Sequence, residues 1–284
     1  MSGGSPRFVQ FPHPGGEHVP TTDQMAWNTS NHLRKFLRAP GDYVDAEGHR
    51  ATAELVFWGE WEAPSRVVRR WTASGRLPRA VHEPYWYRPT SGEFRQNTDP
   101  WVWGQRMVYS NCKQTMLAGH RTTSMQALPP GSLICFGSSI HDEFCVDTVF
   151  VVASAEPWAP EHVDDLDVDD AFKVCTAASL VTGGGVPAGL MLYRGATIDD
   201  AVEGMYSFTP ARLAHDEDAR FTRPPIRLPG LINPRSKQSA NGANRALEPE
   251  TVRSAWAQVR EQVLAGGHLL AVHWATPPEH REGP

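Results

Sequence analysis

The residues best equipped for chemistry gather in a few short strings. One is AELVFWGEWE, which ends in Trp58, Gly59, Glu60, Trp61 and Glu62. On an extended segment, two indoles beside two carboxylates offer stacking faces next to hydrogen-bond acceptors, which suits a flat polar ligand such as a nucleobase. Trp is equally a large core hydrophobe. A second string, PHPGGEH, carries His13, Glu17 and His18. A carboxylate beside an imidazole can accept, orient and deliver a proton. The prolines and glycines exclude the helix that an H-E-x-x-H metal motif needs. WNTSNH holds Asn28 and His32, which would share one face of a helix at i, i+4 spacing. There an Asn could position a water and a His could stabilise a departing anion. RQNTDPW supplies Asn97 and Asp99, followed at alternate positions by Trp101 and Trp103. Asp147 is a lone charge in the apolar run CVDTVFVVA. Buried there, it must be paired, hydrogen-bonded or protonated.

The elements that must carry these residues read as follows. Arg7–Phe11 is a first strand, broken at Pro12–His18. Thr21 or Thr22 caps a helix over Met25–Leu37, with Arg34, Lys35 and Arg38 near its C-terminal end and Gly41 and Asp42 at its exit. Glu54–Trp58 is a strand. Pro64 and Ser65 open a short helix or turn. Pro78–Asp99 is an irregular aromatic loop, and Trp101–Tyr109 returns toward strand. Ser132–Gly137 and Cys145–Ala153 form a hairpin of buried strands. Asp169–Leu180 is helical and ends at Gly183–Gly185; Pro187–Tyr193 is a further strand. Ser207–Asn244, rich in Pro, Arg and Asn, reads as a long surface arm. Pro249–Ala265 has Val252, Trp256, Val259 and Val263 at helical spacing, with Gly266 and Gly267 behind it. His268–Trp274 is a last strand, and residues 277–284 form a disordered tail. The fold class is α+β: a mixed sheet or partly closed β-barrel core flanked by helices, with a long irregular Pro/Arg-rich arm. Residues 1–284 read as one domain, with a possible subdivision into 1–155 and 171–276 joined by an acidic segment.

Composition bounds the function. The 284 residues are 40% hydrophobic and 21% charged, an ordinary globular balance. No apolar run reaches the length of a membrane span, and the N-terminus lacks the basic and apolar regions of a signal peptide. A cytoplasmic protein is expected. Its four widely spaced cysteines form no C-x-x-C pair, which leaves zinc ribbons and thioredoxin-type chemistry unsupported. The formal charge is −5, but unevenly distributed. Five arginines, Arg66, Arg69, Arg70, Arg76 and Arg79, lie between Glu62 and Glu83 with no acid among them. Such a strip can hold phosphates although the whole chain is acidic. The phosphate loop, the nucleophile elbow and the zinc-deaminase pattern are all absent.

The blocks FVQFPHPGGEH, WGEWEAPSRVVRRW, RQNTDPWVWG, and GSLICFG followed by CVDTVFVV together resemble an uncharacterised bacterial family associated with phage-defence loci. Within such loci the chain is similar to DNA glycosylases that attack glucosylated hydroxymethylcytosine. It lacks the helix-hairpin-helix with Gly-Pro-Asp, and the water-activating and His-Pro-Ser motifs of uracil-DNA glycosylases. The resemblance implies hydrolysis of the N-glycosidic bond of a modified cytosine in phage DNA. No cofactor, no metal and no membrane are expected, and protein partners are not indicated. Roles follow from chemistry. Glu17 and Asp147 are candidates to stabilise the sugar cation and orient water, with His18 or Asn28 on the water or the leaving base. Trp58, Trp61, Trp101 and Trp103 would wall the flipped base, with Glu60, Asn97 and Asp99 as its polar contacts. Arg34, Lys35, Arg66, Arg69 and Arg70 would hold the DNA backbone. The alternatives are a non-catalytic PUA-like reader of modified bases, or an enzyme acting on small nucleotides or sugars.

Overall fold

A computed structural model describes residues 4–29, 31–72, 75–89, 95–116, 121–182, 189–216, 219–236 and 240–281. The fold is α+β, built on two mixed sheets. Its strands are β1 (Phe8–Pro12), β2 (Gln24–Met25), β3 (Arg34–Val44), β4 (Arg50–Glu60), β5 (Ser65–Arg70) and β6 (Ala80–Pro84). They continue with β7 (Val108–Tyr109), β8 (Leu133–Ile140), β9 (Glu143–Trp158), β10 (Leu190–Gly195), β11 (Thr209–Leu213) and β12 (Leu269–Trp274). Helices α1 (Asp170–Phe172) and α2 (Ala178–Thr182) are joined by a π turn over Lys173–Ala177, and α3 spans Pro249–Ala265.

The first sheet runs β1-β8-β9-β10-β7, with β1 parallel to β8. The second runs β12-β11-β4-β3-β6-β5-β2. Because β12 also pairs with β3, the strands β3, β4, β11 and β12 close a small ring, while the rest of that sheet stays open. The result is a mixed sheet, not a barrel. Both sheets interleave strands from the two halves of the chain, since β10 pairs with β9 and β11 with β4.

Alternation along β9 explains how the first sheet is buried on both faces. Phe150 and Val152 join Phe11, Leu37, Phe57 and Phe136 in one core cluster. Val149 and Val151 turn the other way, toward Val252, Val259 and Val263 of α3. An amphipathic helix is stabilised mainly by such burial.

The region expected to be a helix, Met25–Leu37, contains none among its described residues. β3 begins at Arg34 and makes eleven register pairs with β4, from Arg34 opposite Glu60 to Val44 opposite Arg50. Long-range pairing has overridden a local pattern that also fits helical spacing. Gly41 and Asp42, expected to end the helix, lie within β3. A Cβ on Gly41 would stand 2.7 Å from the carbonyl oxygen of His273, so glycine there permits the close approach of β12. Pro64–Trp71 holds β5 rather than a helical turn. Ser207–Asn244 is no surface arm: it contains β11 and buries Phe208, Phe221, Ile226 and Leu228. Residues 277–281 are packed, with the Trp86 N–H donating to the Pro278 carbonyl at 3.1 Å and His280 stacked on Tyr85. Gly183–Gly185 lies outside the described residues. Among the described residues, no helix is long and apolar enough to cross a membrane.

Candidate active site

Where the two sheets face each other, four chain segments deliver ionisable side chains to one buried point. Arg34 opens β3 and stands opposite Glu60, the last residue of β4. Asp147 arrives from the first sheet through a bulge. Phe136 of β8 pairs with Thr148 and Gly137 with Val146, so Asp147 is the extra residue. A bulge re-aims a side chain that strict alternation would place elsewhere. His13 follows β1 directly, tied by its N–H to the Gly137 carbonyl at 2.7 Å.

Arg34 is the hub. Its Nε donates to Asp147 Oδ2 at 2.9 Å and its Nη1 to Glu60 Oε2 at 2.7 Å. Its Nη2 contacts His13 Nδ1. The other ring nitrogen of His13 lies 3.7 Å from Cys112 Sγ. Beyond Glu60, His32 Nδ1 stands 3.7 Å from Glu60 Oε1 and 3.3 Å from Glu62 Oε1. Glu60 and Glu62 are two apart in sequence, and so project on one side of the extended chain. The side chain of His32 is 44% exposed while those of Glu60 and Glu62 are 5% and 0% exposed. His32 is thus the rim of the site and the carboxylates are its floor.

The surroundings split the protonation of these groups. Burial raises the proton affinity of Glu60, but Arg34, His13 and His32 outweigh it and hold the carboxyl at about 2. Burial pushes Glu62 upward, aided by the charge of Glu60. Hydrogen bonding to Glu60 and then Glu62 lifts His32 to about 10. Burial, reinforced by Arg34, lowers His13 to about 4, so its imidazole is neutral. Among the described residues, neither oxygen of Glu62 has a hydrogen-bond partner of good geometry, and neither has the side-chain amide of buried Asn28. The two residues adjoin, with the Asn28 N–H donating to the Glu62 carbonyl at 2.9 Å. Native interiors rarely leave such groups unmet without a functional reason.

Family models, curated proteins and solved structures were each compared with the chain, and none matches. The site therefore rests on its own geometry.

That geometry redistributes the residues singled out in the sequence. Glu60, Asp147 and Asn28 do converge, although Asn28 and His32 come from an irregular segment and not from a helix face. Glu17 and His18 do not join them. The Glu17 carboxylate accepts from the Arg79 backbone N–H at 2.6 Å and from Arg79 Nε at 2.9 Å, which ties two loops together. His18 sits near Lys35 and His82, and burial lowers it to about 4. Asp99 is a loop clamp: it accepts the backbone N–H groups of Ser110, Asn111 and Cys112, and so presents Cys112 to His13. Asn97 donates to Asn111 Oδ1 at 2.8 Å beside it.

The four tryptophans are core residues, from 0% to 4% exposed. The Trp58 indole donates to the Phe221 carbonyl, and that of Trp61 to the Pro64 carbonyl. Trp61 packs against both Trp101 and Trp103. Trp61 is enclosed by other indoles, whereas Trp58, with Arg223 over its ring, also borders a cavity of about 360 Å³ with Glu17, Arg76 and Arg79. Trp101 and Trp103 border a separate cavity of about 950 Å³ with Glu156, Asp169 and Arg194. Arg34 and Lys35, expected on the DNA backbone, are fully buried, with Lys35 donating to the Ala63 carbonyl, so neither presents its charge at the surface. Arg66 and Arg70 are exposed but paired, with Glu83 and Asp23 respectively, and Arg69 lies over Trp71.

Arg223 was not among the residues the sequence singled out. It is buried beside Asp147, donates to Ser138 Oγ at 2.8 Å, and lies over Trp58. No local signal marks it, because it comes from the stretch that reads as an arm. His13, His32 and Glu62 do carry a signal: each stands in a string already notable for clustered polar residues.

Proposed function

We propose that the protein hydrolyses a glycosyl bond, and that the bond is the N-glycosidic link of a modified cytosine in DNA. The observation that carries this reading is the pairing of Glu60 and Glu62. One oxygen of each, with a ring nitrogen of His32, lies within 4.8 Å of the others at the open rim of a buried ionic network. Glycosyl transfer passes through an oxocarbenium-like sugar, and two neighbouring carboxylates are the recurrent means of stabilising it and directing water. Glu60, anchored through its other oxygen by Arg34, has the fixed negative charge this needs. Glu62, whose oxygens make no hydrogen bond of good geometry among the described residues, is placed to hold the attacking water. The water oxygen bonds to C1′, the bond to the base nitrogen breaks, and the water proton ends on the departing base. A preorganised buried charge is worth more than the same charge in water.

The choice of a modified cytosine follows the resemblance of the four sequence blocks. The catalytic groups of that expectation move from Glu17 and His18 to Glu60 and Glu62, with Asp147 acting on Glu60 through Arg34. A base reader draws less support, since it has no use for the paired carboxylates Glu60 and Glu62. The test incubates the full chain with unmodified DNA and with DNA containing glucosylated hydroxymethylcytosine, then measures free base and alkali-labile sites. Release from the modified DNA alone is expected. No release from any modified DNA overturns the reading.

A further inference from the structure

We propose that His32 Nδ1, Glu60 Oε1 and Glu62 Oε1 bind a single divalent transition-metal ion, with the Asn28 side-chain carbonyl completing the protein ligands. The separations fit. Ligands about 2.1 Å from a metal stand about 3–3.5 Å apart at tetrahedral or octahedral angles. His32 lies 3.3 Å from Glu62 and 3.7 Å from Glu60, and all three ligand atoms fall within 4.8 Å.

Three further observations single this group out. Asn28 is 4% exposed, has its side chain against Glu62, and has a side-chain oxygen and nitrogen without a hydrogen bond of good geometry among the described residues. It is not one of the acidic groups, so its unmet valence points to a ligand independently of them. Next, Glu60 is oriented as a ligand would be: Arg34 holds Oε2 at 2.7 Å, leaving Oε1 directed at His32. Metal-ligating carboxylates are commonly fixed by such outer hydrogen bonds. Finally, His32 is half-exposed, so the side of the ion away from the carboxylates opens to solvent, as a catalytic rather than a structural site requires.

One imidazole with oxygen donors suits Mn²⁺, Fe²⁺ or Zn²⁺ better than the all-oxygen preference of Ca²⁺ or Mg²⁺. The function of the ion rests on the hydrolase reading above: held by Glu60 and Glu62, it would take over from Glu62 the holding of the attacking water and lower its pKa. The binding itself does not rest on that reading. This departs from the expectation of a metal-free protein.

The experiment titrates chelator-treated full-length protein with Mn²⁺, following the loss of free-ion signal by electron paramagnetic resonance, and repeats the titration with Zn²⁺ by calorimetry. One ion per chain is expected, with affinity reduced at least tenfold in both His32→Ala and Glu62→Gln. Asp45→Asn, in an exposed acidic turn elsewhere, should bind like the wild type. Circular dichroism establishes that each variant is folded. His32→Ala, at the rim, keeps the test decisive if Glu62→Gln is not. Binding below one-tenth of an ion per chain, or undiminished binding by folded His32→Ala, overturns the proposal. An ion bound at His32 without any base release supports the site and removes only the hydrolase reading.

Discussion

Two groups of imidazole and carboxylates in this molecule share a composition and little else. Asp45, Glu47 and His49 occupy the turn between β3 and β4, five residues from end to end and largely exposed. Asp45 Oδ1 accepts the backbone N–H groups of Glu47 at 3.0 Å and His49 at 2.8 Å, and Oδ2 faces His49 Nδ1 at 3.2 Å. Its carboxylate is spent on closing the turn, a local use for which Asp is favoured. His32, Glu60 and Glu62 are gathered instead from the approach to β3 and the end of β4. Glu62 is buried with His32 and Asn28 against its carboxylate, neither in good hydrogen-bond geometry, and Arg34 fixes Glu60 from behind. Proximity of acids and a histidine therefore means nothing by itself. What separates the groups is whether turn geometry already accounts for the polar atoms.

The largest effect that could break this contrast is on stability. Arg34→Met should cost about 3–5 kcal/mol, because it leaves Glu60 and Asp147 buried without their cation. Denaturant unfolding would measure it, with Asp45→Asn alongside. The turn variant should melt with the wild type. If the two variants behave alike, the buried network is no more integral to the fold than the turn.

Next in size is the effect on chemistry. Glu60→Gln and Glu62→Gln keep shape and remove charge, and each should slow base release by roughly a hundredfold or more while binding persists. Glu47→Gln should release base at the wild-type rate. Equal rates in all three variants would place the reacting centre elsewhere, with the cavity bordered by Trp101 and Trp103 the next place to look.

Part of this was legible in the sequence. The bounds of Pro249–Ala265 are marked in the sequence, because its apolar spacing and flanking Pro and Gly all agree. The β8–β9 hairpin was visible as two apolar runs about a polar tip. Asp147 stood out as a charge where none belongs, and Glu60 as an acid between tryptophans. The hub was not legible. Arg34 is one cation in the run HLRKFLR, and only its pairing register with β4 sets it opposite Glu60. That register comes from contacts 26 residues away along the chain, which no local pattern contains. The tryptophans misled for a complementary reason. An indole in a core and an indole in a base pocket have the same neighbours in sequence, and only their exposure distinguishes them.

The contrast between buried and exposed polar groups extends to imidazoles. His82 is fully buried, and desolvation with the charge of Lys35 holds it down at about 2; burial and Arg212 hold His268 at about 4. Both folded-state values lie below the unfolded value of about 6.5. The unfolded chain thus takes up protons first as pH falls. The stability these groups provide is intact above pH ~6.5 and is lost on acidification toward the folded-state values. Between about pH 6.5 and 4, each should contribute a slope of up to ~1.4 kcal/mol per pH unit. His82→Gln should remove one such contribution, read from unfolding free energies across that range. A slope unchanged in the variant would mean that His82 is protonated alike in both states.

The smallest expected effect concerns the exposed arginines, and it sharpens the comparison from the other side. Arg66 lies beside Glu83 and Arg70 reaches Asp23, so neither presents an uncompensated charge to a phosphate. Exposed ion pairs are weak, worth about 0–1 kcal/mol, and a polyanion can compete for them. Each phosphate contact on duplex DNA steepens the dependence of log K on log salt by about 0.9. Replacing Arg66 and Arg69 together by Ala should therefore flatten that slope by at most about two, and by nearer one if Glu83 retains Arg66 in the complex. Fluorescence anisotropy with a labelled duplex at several salt concentrations would resolve this, and the fold should be unaffected. A flattening near two would show that DNA takes Arg66 from Glu83. A slope identical to the wild type would remove this strip from the interface, leaving the catalytic assignment of Glu60 and Glu62 intact, because buried charges act on the reacting sugar and exposed ones only on its approach.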